Sequence, residues 1–191
     1  MSAIRSSCLA LVACGFLVAA ISVAQEKKKE NESKEHATAK DVLGKAKIDL
    51  AKAIQTAQAK VPGGKPMQAS VEEENGKHIF EVHFLMGDKV KSVEVDAVTG
   101  EASNAKDDED ESPEDIAEAK EVLGVSKIAF AQAITTAKAQ VSDGKPFEIS
   151  LQAEKDKSII DVELLSGNKV MVVEIDAISG KVLSTHEEKE D

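Results

Sequence analysis

Aromatic side chains are nearly missing from this sequence, which has no Trp, no Tyr and five Phe. That excludes a sugar site built from stacked rings and an interface anchored on Trp or Tyr. Any core must be assembled from Val, Ile, Leu, Ala and those few Phe, and a small aliphatic core supports only modest stability. Cysteine is equally scarce. Cys8 and Cys14 both fall in the first two dozen residues, so the remainder offers no disulfide framework, thiol nucleophile or cysteine metal site. Basic charge is short as well: 24 Lys and Arg face 35 Asp and Glu, for a formal net charge of −11. Nucleic acid and anionic membrane surfaces are therefore not expected as partners. The motifs of catalysis are absent too. There is no nucleophile elbow or zinc helix, and Gly63-Gly64 lacks the following Lys-Ser/Thr of a phosphate-binding loop. Neither an enzyme nor a bound cofactor is expected.

What is present begins with an export signal. Arg5 gives a short basic start, Leu9 to Val23 is mostly apolar, and Ser22-Val23-Ala24 places small residues before a cleavage point at Gln25. Two other readings stay open. A retained anchor is one, although the apolar run falls slightly short of the ~20 residues of a spanning helix. Lipidation at Cys14 through Leu11-Val12-Ala13-Cys14 is the other, although the most apolar stretch, Gly15 to Val23, follows that cysteine. Cleavage after residue 24 removes one basic residue and no acid, leaving 23 Lys and Arg against 35 acids, a charge of −12. The expectation is an exported chain, periplasmic or secreted, with no integral membrane segment once mature.

The main feature is an internal duplication. Displaced by 80 residues, the sequence aligns on itself without a gap, with 32 identities in 64 positions over 37–100 against 117–180. Gly64-Lys65-Pro66 returns as Gly144-Lys145-Pro146, and Val93-Glu94-Val95-Asp96-Ala97 as Val173-Glu174-Ile175-Asp176-Ala177. What is kept is apolar spacing, glycine and turn residues. The four histidines are not kept: His36, His78, His83 and His186 fall opposite Ile116, Ser158, Glu163 and Lys106.

Each copy changes period partway along. A short helix opens it, started in the second copy by Ser112-Pro113-Glu114-Asp115 and ended by Gly124, as Gly44 would end the first. A second helix is predicted over Leu50 to Lys60 and Phe130 to Gln140. Its stripe is Leu50, Ile54, Ala57 and Val61, then Phe130, Ile134, Ala137 and Val141. The period then falls to two. Met67, Ala69 and Val71 alternate with polar residues, Asn75-Gly76 marks a hairpin with Lys155-Asp156 as its weaker counterpart, and Phe80, Val82 and Phe84 alternate in turn. A third strand runs over Lys89 to Asp96 and Lys169 to Asp176. The predicted class is α+β: two tandem repeats, each a helix packed on one face of a three- to four-stranded antiparallel sheet and preceded by a short helix.

At Asp96-Ala97-Val98-Thr99-Gly100-Glu101 the chain resembles a known family. A strand ending Val-x-Val-Asp-Ala, then x-Thr/Ser-Gly, is similar to the PepSY signature, as is the Ala-rich helix around Ala53-Ile54 and Ala57. The likeness covers about 46–104 and 126–186. Phe80 and Ile160 stand where that family often has Tyr, so a role tied to that hydroxyl is absent. The signature Asp96, Ala97, Thr99 and Gly100, with Asp176, Ala177, Ser179 and Gly180, has a structural account. The Asp accepts from the turn it opens, and the Gly takes positive φ without strain. The resemblance implies a non-catalytic module that binds protein or peptide and restrains an exported or envelope peptidase. The alternative is a structural or scavenging envelope protein binding peptide, cell-wall material or divalent cations. The run Asp107-Asp108-Glu109-Asp110-Glu111 could attract Ca²⁺ weakly, but it lacks the alternating ligands of an EF-hand and reads first as a solvated linker. The expected organisation is a signal over 1–24, a charged tail over 25–36, repeats over 37–104 and 113–186, an acidic linker over 105–112 and an acidic tail over 187–191.

Overall fold

A computed structural model describes residues 34–109, 111–154 and 157–188. Residues 1–33, with the expected signal, both cysteines and most of the expected charged tail, lie outside the described residues, as do Asp110, the expected turn at Lys155-Asp156 and residues 189–191. Helix α1 occupies residues 34–45. It is followed by α2 (Leu50–Gln58), β1 (Lys65–Glu74), β2 (Lys77–Met86), β3 (Lys89–Asp96) and β4 (Lys106–Asp108). The second copy supplies α3 (Pro113–Val125), α4 (Phe130–Gln140), β5 (Lys145–Glu154), β6 (Lys157–Ser166), β7 (Lys169–Asp176) and β8 (Val182–Glu187).

The local signals account for these elements. Ser112 accepts from the Asp115 N–H at 3.1 Å and Asp49 from the Lys52 N–H at 2.9 Å, each satisfying a donor that a helix start leaves open. Leu50, Ile54, Ala57 and Val61 are all buried, as are Phe130, Ile134, Ala137 and Val141. Both stripes rest on the sheet face formed by Phe80, Val82, Val93 and Val95 in one copy and Ile160, Val162, Val173 and Ile175 in the other. Asn75 and Gly76 have φ of 52° and 75°, the pair of positive values that a tight two-residue hairpin of this twist demands. Gly124 does not stop α3, which runs on to Val125, and α1 likewise passes Gly44. Neither glycine has positive φ; the chain turns out of α3 at Ser126 instead, which is extended.

Three features go beyond the sequence reading. First, the two meanders form a single eight-stranded sheet in the order β4-β3-β2-β1-β5-β6-β7-β8. β1 and β5 pair antiparallel through Gln68↔Ser150, Ala69↔Ile149 and Ser70↔Glu148. Ala69 and Ile149 are equivalent in the duplication, so a pseudo-twofold axis passes between them. Buried residues of both copies belong to one continuous core.

Second, the opening helices cross that axis. α3, which begins the second copy, packs Ala119 with Met67, Leu85 and Val90 of the first. α1, which begins the first, sets His36 edge-on to the Phe147 ring of the second, with centroids 6.3 Å apart. Matching polar contacts repeat the exchange: Lys40 donates to Asn168 at 2.8 Å and Lys120 to Asp88 at 2.6 Å, one bond being the other displaced by 80 residues. The face expected to be open and polar is therefore partly covered. Third, the acidic linker is not structureless, since residues 106–108 add β4 to the edge of β3. At the other end the chain stays paired through β8 to Glu188, whose N–H donates to the Val170 carbonyl at 2.9 Å.

Candidate functional site

The sheet face opposite α2 and α4 is where charge collects. In an antiparallel ladder directly opposed residues share a face, so Glu81 with Glu94 and His83 with Ser92 line one row. Asp161 with Glu174 and Glu163 with Val172 line its counterpart. Alternation places these carboxylates on the face that the opening helices cross, and at the pseudo-twofold axis between the two rows Gln68 Nε2 donates to Glu148 Oε1 at 3.3 Å.

In the first copy an imidazole organises the charge. His83 Nδ1 lies 2.7 Å from Glu111 Oε1 and 3.4 Å from Asp108 Oδ2, and Nε2 lies 3.5 Å from Glu81 Oε2. The ring is only 16% exposed. Burial works against its protonated form, but the Glu81 and Glu111 carboxylates outweigh that and raise it to about 9. Its hydrogen bond in turn holds Glu81 below the usual carboxylate range. Glu72 is pushed up to about 7 by burial and by the charge on Glu81.

In the second copy Glu163 replaces His83. Burial raises Glu163 to about 8, aided by Glu148, Glu188, Glu35 and Asp161. Burial with Glu174 and Glu154 brings Asp161 to about 7, and Asp161 Oδ1 is buried without a hydrogen-bond partner among the described residues. Glu148 is also raised, first by burial and then by Glu35. One copy thus holds a charge-paired cluster and the other an excess of acid.

Among the described residues three groups bring a histidine nitrogen and two carboxylate oxygens within 4.8 Å of one another: His83 with Asp108 and Glu111, His36 with Glu163 and Glu188, and His78 with Asp41 and Glu73. In the last, Lys45 Nζ reaches Asp41 at 2.7 Å and His78 at 3.1 Å. None of these groups was expected from sequence, where histidines that change between copies argued against chemistry. The alternation at Glu81 and His83 marked a polar row, but the partners arrive from the linker, from α1 and from the end of β8.

The signature turns lie at the far ends of β3 and β7. Asp96 Oδ1 accepts from the Val98 and Thr99 N–H groups at 2.9 and 2.7 Å, and Asp176 Oδ1 from the Ser179 N–H at 2.6 Å. The turn's hydrogen bonds, that from Thr99 first, hold Asp96 below its ordinary range. Gly100 and Gly180 have φ of 75° and 71°. The Ala97 carbonyl accepts from Lys47 and Ile48, and that of Ala177 from Lys127 and Ile128, tying each turn to the segment that enters the second helix. They follow Glu94 and Glu174 of the acidic rows by two residues on the same strands, but the hydrogen bonds above stay within each turn and the segment that enters the second helix.

Two surfaces lie apart from the acidic rows. An apolar groove of about 560 Å³ opens where the copies meet, lined by Ile54, Pro66, Leu123, Ile128 and Phe130, with Lys65 and Lys127. At one end of the sheet β8 pairs, among the described residues, with β7 alone, and its Leu183 is 40% exposed. Among the described residues no helix is long and apolar enough to cross a membrane.

Comparison with known proteins agrees with the duplication. The family model described as "Peptidase propeptide and YPEB domain", PepSY, matches residues 47–104 and again 127–186. A crystal structure of a candidate lipoprotein from Clostridium difficile 630 is similar at 20% identity, with 75% of this chain and 95% of that chain covered and a TM-score of 0.44. The C-terminal domain of Bacillus megaterium YpeB is similar at 15% identity, covering 76% of this chain and 67% of that one, with a TM-score of 0.30. No curated protein matches the chain.

Proposed function

Because the chain belongs to the PepSY family of peptidase propeptide and YPEB domains, we propose that it is a non-catalytic binding module that engages polypeptide, and specifically one that restrains an exported peptidase. The observation that carries this reading is the outer edge of β8. It runs for six residues, Val182–Glu187, and has neither the Lys nor the Pro that commonly blunt such edges. An extended peptide adds to an edge of this kind through main-chain hydrogen bonds. The Glu188 N–H turns inward to Val170, so the two-residue period turns the Thr185 and Glu187 N–H groups outward. Export through the signal over 1–24, repeats bounded at 37–104 and 113–186, and a purely structural role for the Asp96 and Asp176 turns belong to the same proposal.

The test is to incubate the chain with secreted metallopeptidases and follow both cleavage rate and complex formation. The expected outcome is slowed cleavage and a complex. Thr185→Pro, which deletes one outward donor and leaves the inward ladder intact, should weaken both by about tenfold. Unchanged cleavage and no complex across such enzymes would remove the peptidase reading.

The alternative, a structural or scavenging envelope protein, takes its support from the carboxylates. The linker itself does not favour Ca²⁺. Asp107 is paired with Lys91, while Asp108 and Glu111 face His83. A cation is better served elsewhere on the molecule.

A further inference from the structure

The three histidine–carboxylate groups differ in what already supplies positive charge. His83 is itself the cation of its cluster, surrounded by Glu81, Asp108 and Glu111. Lys45 serves the exposed group at Asp41 and His78. At the third, one imidazole meets two carboxylates with more acid behind them: Glu148 and Glu35 both act on Glu163.

We propose that His36, Glu163 and Glu188 hold a divalent transition-type cation, with zinc the ion their donor set fits best. The three ligands come from three elements, α1, β6 and the residue following β8. His36 Nε2 and Glu188 Oε2 are 3.0 Å apart, and all three donors lie within 4.8 Å of one another. Neighbouring donors on a tetrahedral zinc stand about 3.3 Å apart, given bonds of about 2.0–2.2 Å, so small rotamer adjustments complete the site. The imidazole orientation is set by the edge contact with Phe147. His36 and Glu188 are largely enclosed, at 15% and 28% exposure, which lowers the dielectric around the ion. One nitrogen with two oxygens suits zinc and its neighbours, whereas Ca²⁺ takes six to eight oxygens.

The duplication supplies an independent argument. Glu163 and Glu188 occupy the positions of His83 and Asp108 in the first copy. There the same place holds a positively charged ring between carboxylates. In the second copy the ring has become Glu163, and an imidazole has been brought in from α1, which crosses from the other repeat. Both places pair one imidazole with carboxylates, but in the second the imidazole comes from a separate element, so that three elements converge on one point. A bound ion would fasten α1 to the far end of the chain, 152 residues away. The inference is independent of any peptidase target.

The experiment is zinc titration of the full untagged chain by calorimetry at neutral pH, with Cys8→Ser and Cys14→Ser so that no thiol competes. One zinc per chain is expected, undisturbed by millimolar Ca²⁺ (on the order of that excess). Cobalt in its place should show the absorption of a low-coordinate nitrogen–oxygen site. His36→Ala and Glu163→Gln should each weaken binding by at least about tenfold, whereas His83→Gln and His78→Gln should leave it within about twofold. Glu163→Gln keeps the side-chain volume and puts a neutral amide where burial already disfavours a charge, so it folds even if His36→Ala does not. Failure to bind zinc, binding indifferent to Glu163→Gln, loss on His83→Gln or His78→Gln instead, or Ca²⁺ binding as tight as zinc would each overturn the assignment.

Discussion

The two repeats share a backbone and differ where it is acidic. Core positions change conservatively between copies: Phe80 becomes Ile160, Phe84 becomes Leu164 and Val95 becomes Ile175, and all six are fully buried. On the other face His83 becomes Glu163, and a cluster that neutralises itself becomes one that gathers carboxyl groups, which burial and one another's charge hold above their ordinary range. A duplicated fold is held by its apolar face, where these exchanges keep side-chain volume roughly constant; the exception, Ala69 to Ile149, falls where the two copies meet. The polar face is freer to diverge, because a charge there can be answered by whatever neighbour the assembly delivers.

The comparison breaks most completely at the axis. Ile149 is fully buried opposite its own equivalent, Ala69. Ile149→Ala should cost about 2–5 kcal/mol in urea unfolding, whereas Ala69→Gly should cost about 1. Equal costs at the two sites would mean that the repeats do not depend on their junction.

His83→Gln comes next. It leaves Glu81, Asp108 and Glu111 without their cation, and removing one partner of a largely buried ion group costs about 3–5 kcal/mol at full burial. A ring 16% exposed warrants the lower part of that range or less. Glu163→His transplants the first copy's arrangement into the second and should instead stabilise the metal-free protein at pH 8. A melting temperature unchanged by either variant would deny the contrast.

Stability against pH separates the copies by window. Glu163 binds its proton more tightly folded than unfolded, with about 8 against an ordinary 4.5. Its contribution is complete below pH 4.5 and is lost as pH rises through 8. His83, raised from 6.5 to about 9, contributes fully below 6.5 and fails as pH passes 9. In chelator, the wild type should therefore lose stability from about pH 5 to 9. Glu163→Gln should make the lower part of the slope shallower, Asp161 and Glu72 supplying the rest, and His83→Gln should do the same to the upper part. A flat profile, or slopes reduced in the opposite order, would contradict the assignment.

The smallest effect belongs to the signature turns. Gly100→Ala and Gly180→Ala both place a Cβ at positive φ, at a cost of about 1 kcal/mol. Gly180→Ala should cost more, since its Cβ would come within 2.9 Å of Ile128, against 3.5 Å from Ile48 at Gly100. Thermal melts of the two variants test that order.

By itself the sequence determined the duplication, the α+β class, the buried stripes of α2 and α4 and the hairpin at Asn75-Gly76. Each is a local matter of period, capping or turn conformation within a few residues. The helix ends were less legible, because Gly44 and Gly124 carry no conformation that forces a stop. Only tertiary structure decided that Ala69 meets Ile149, that α1 and α3 change sides, and that residues 106–108 extend the sheet. These follow from which apolar surfaces remain uncovered after each meander forms, a sum over both copies that no short window contains. The same holds for His36 with Glu163 and Glu188: their encounter spans 152 residues, and nothing near any one of them in the chain announces the other two.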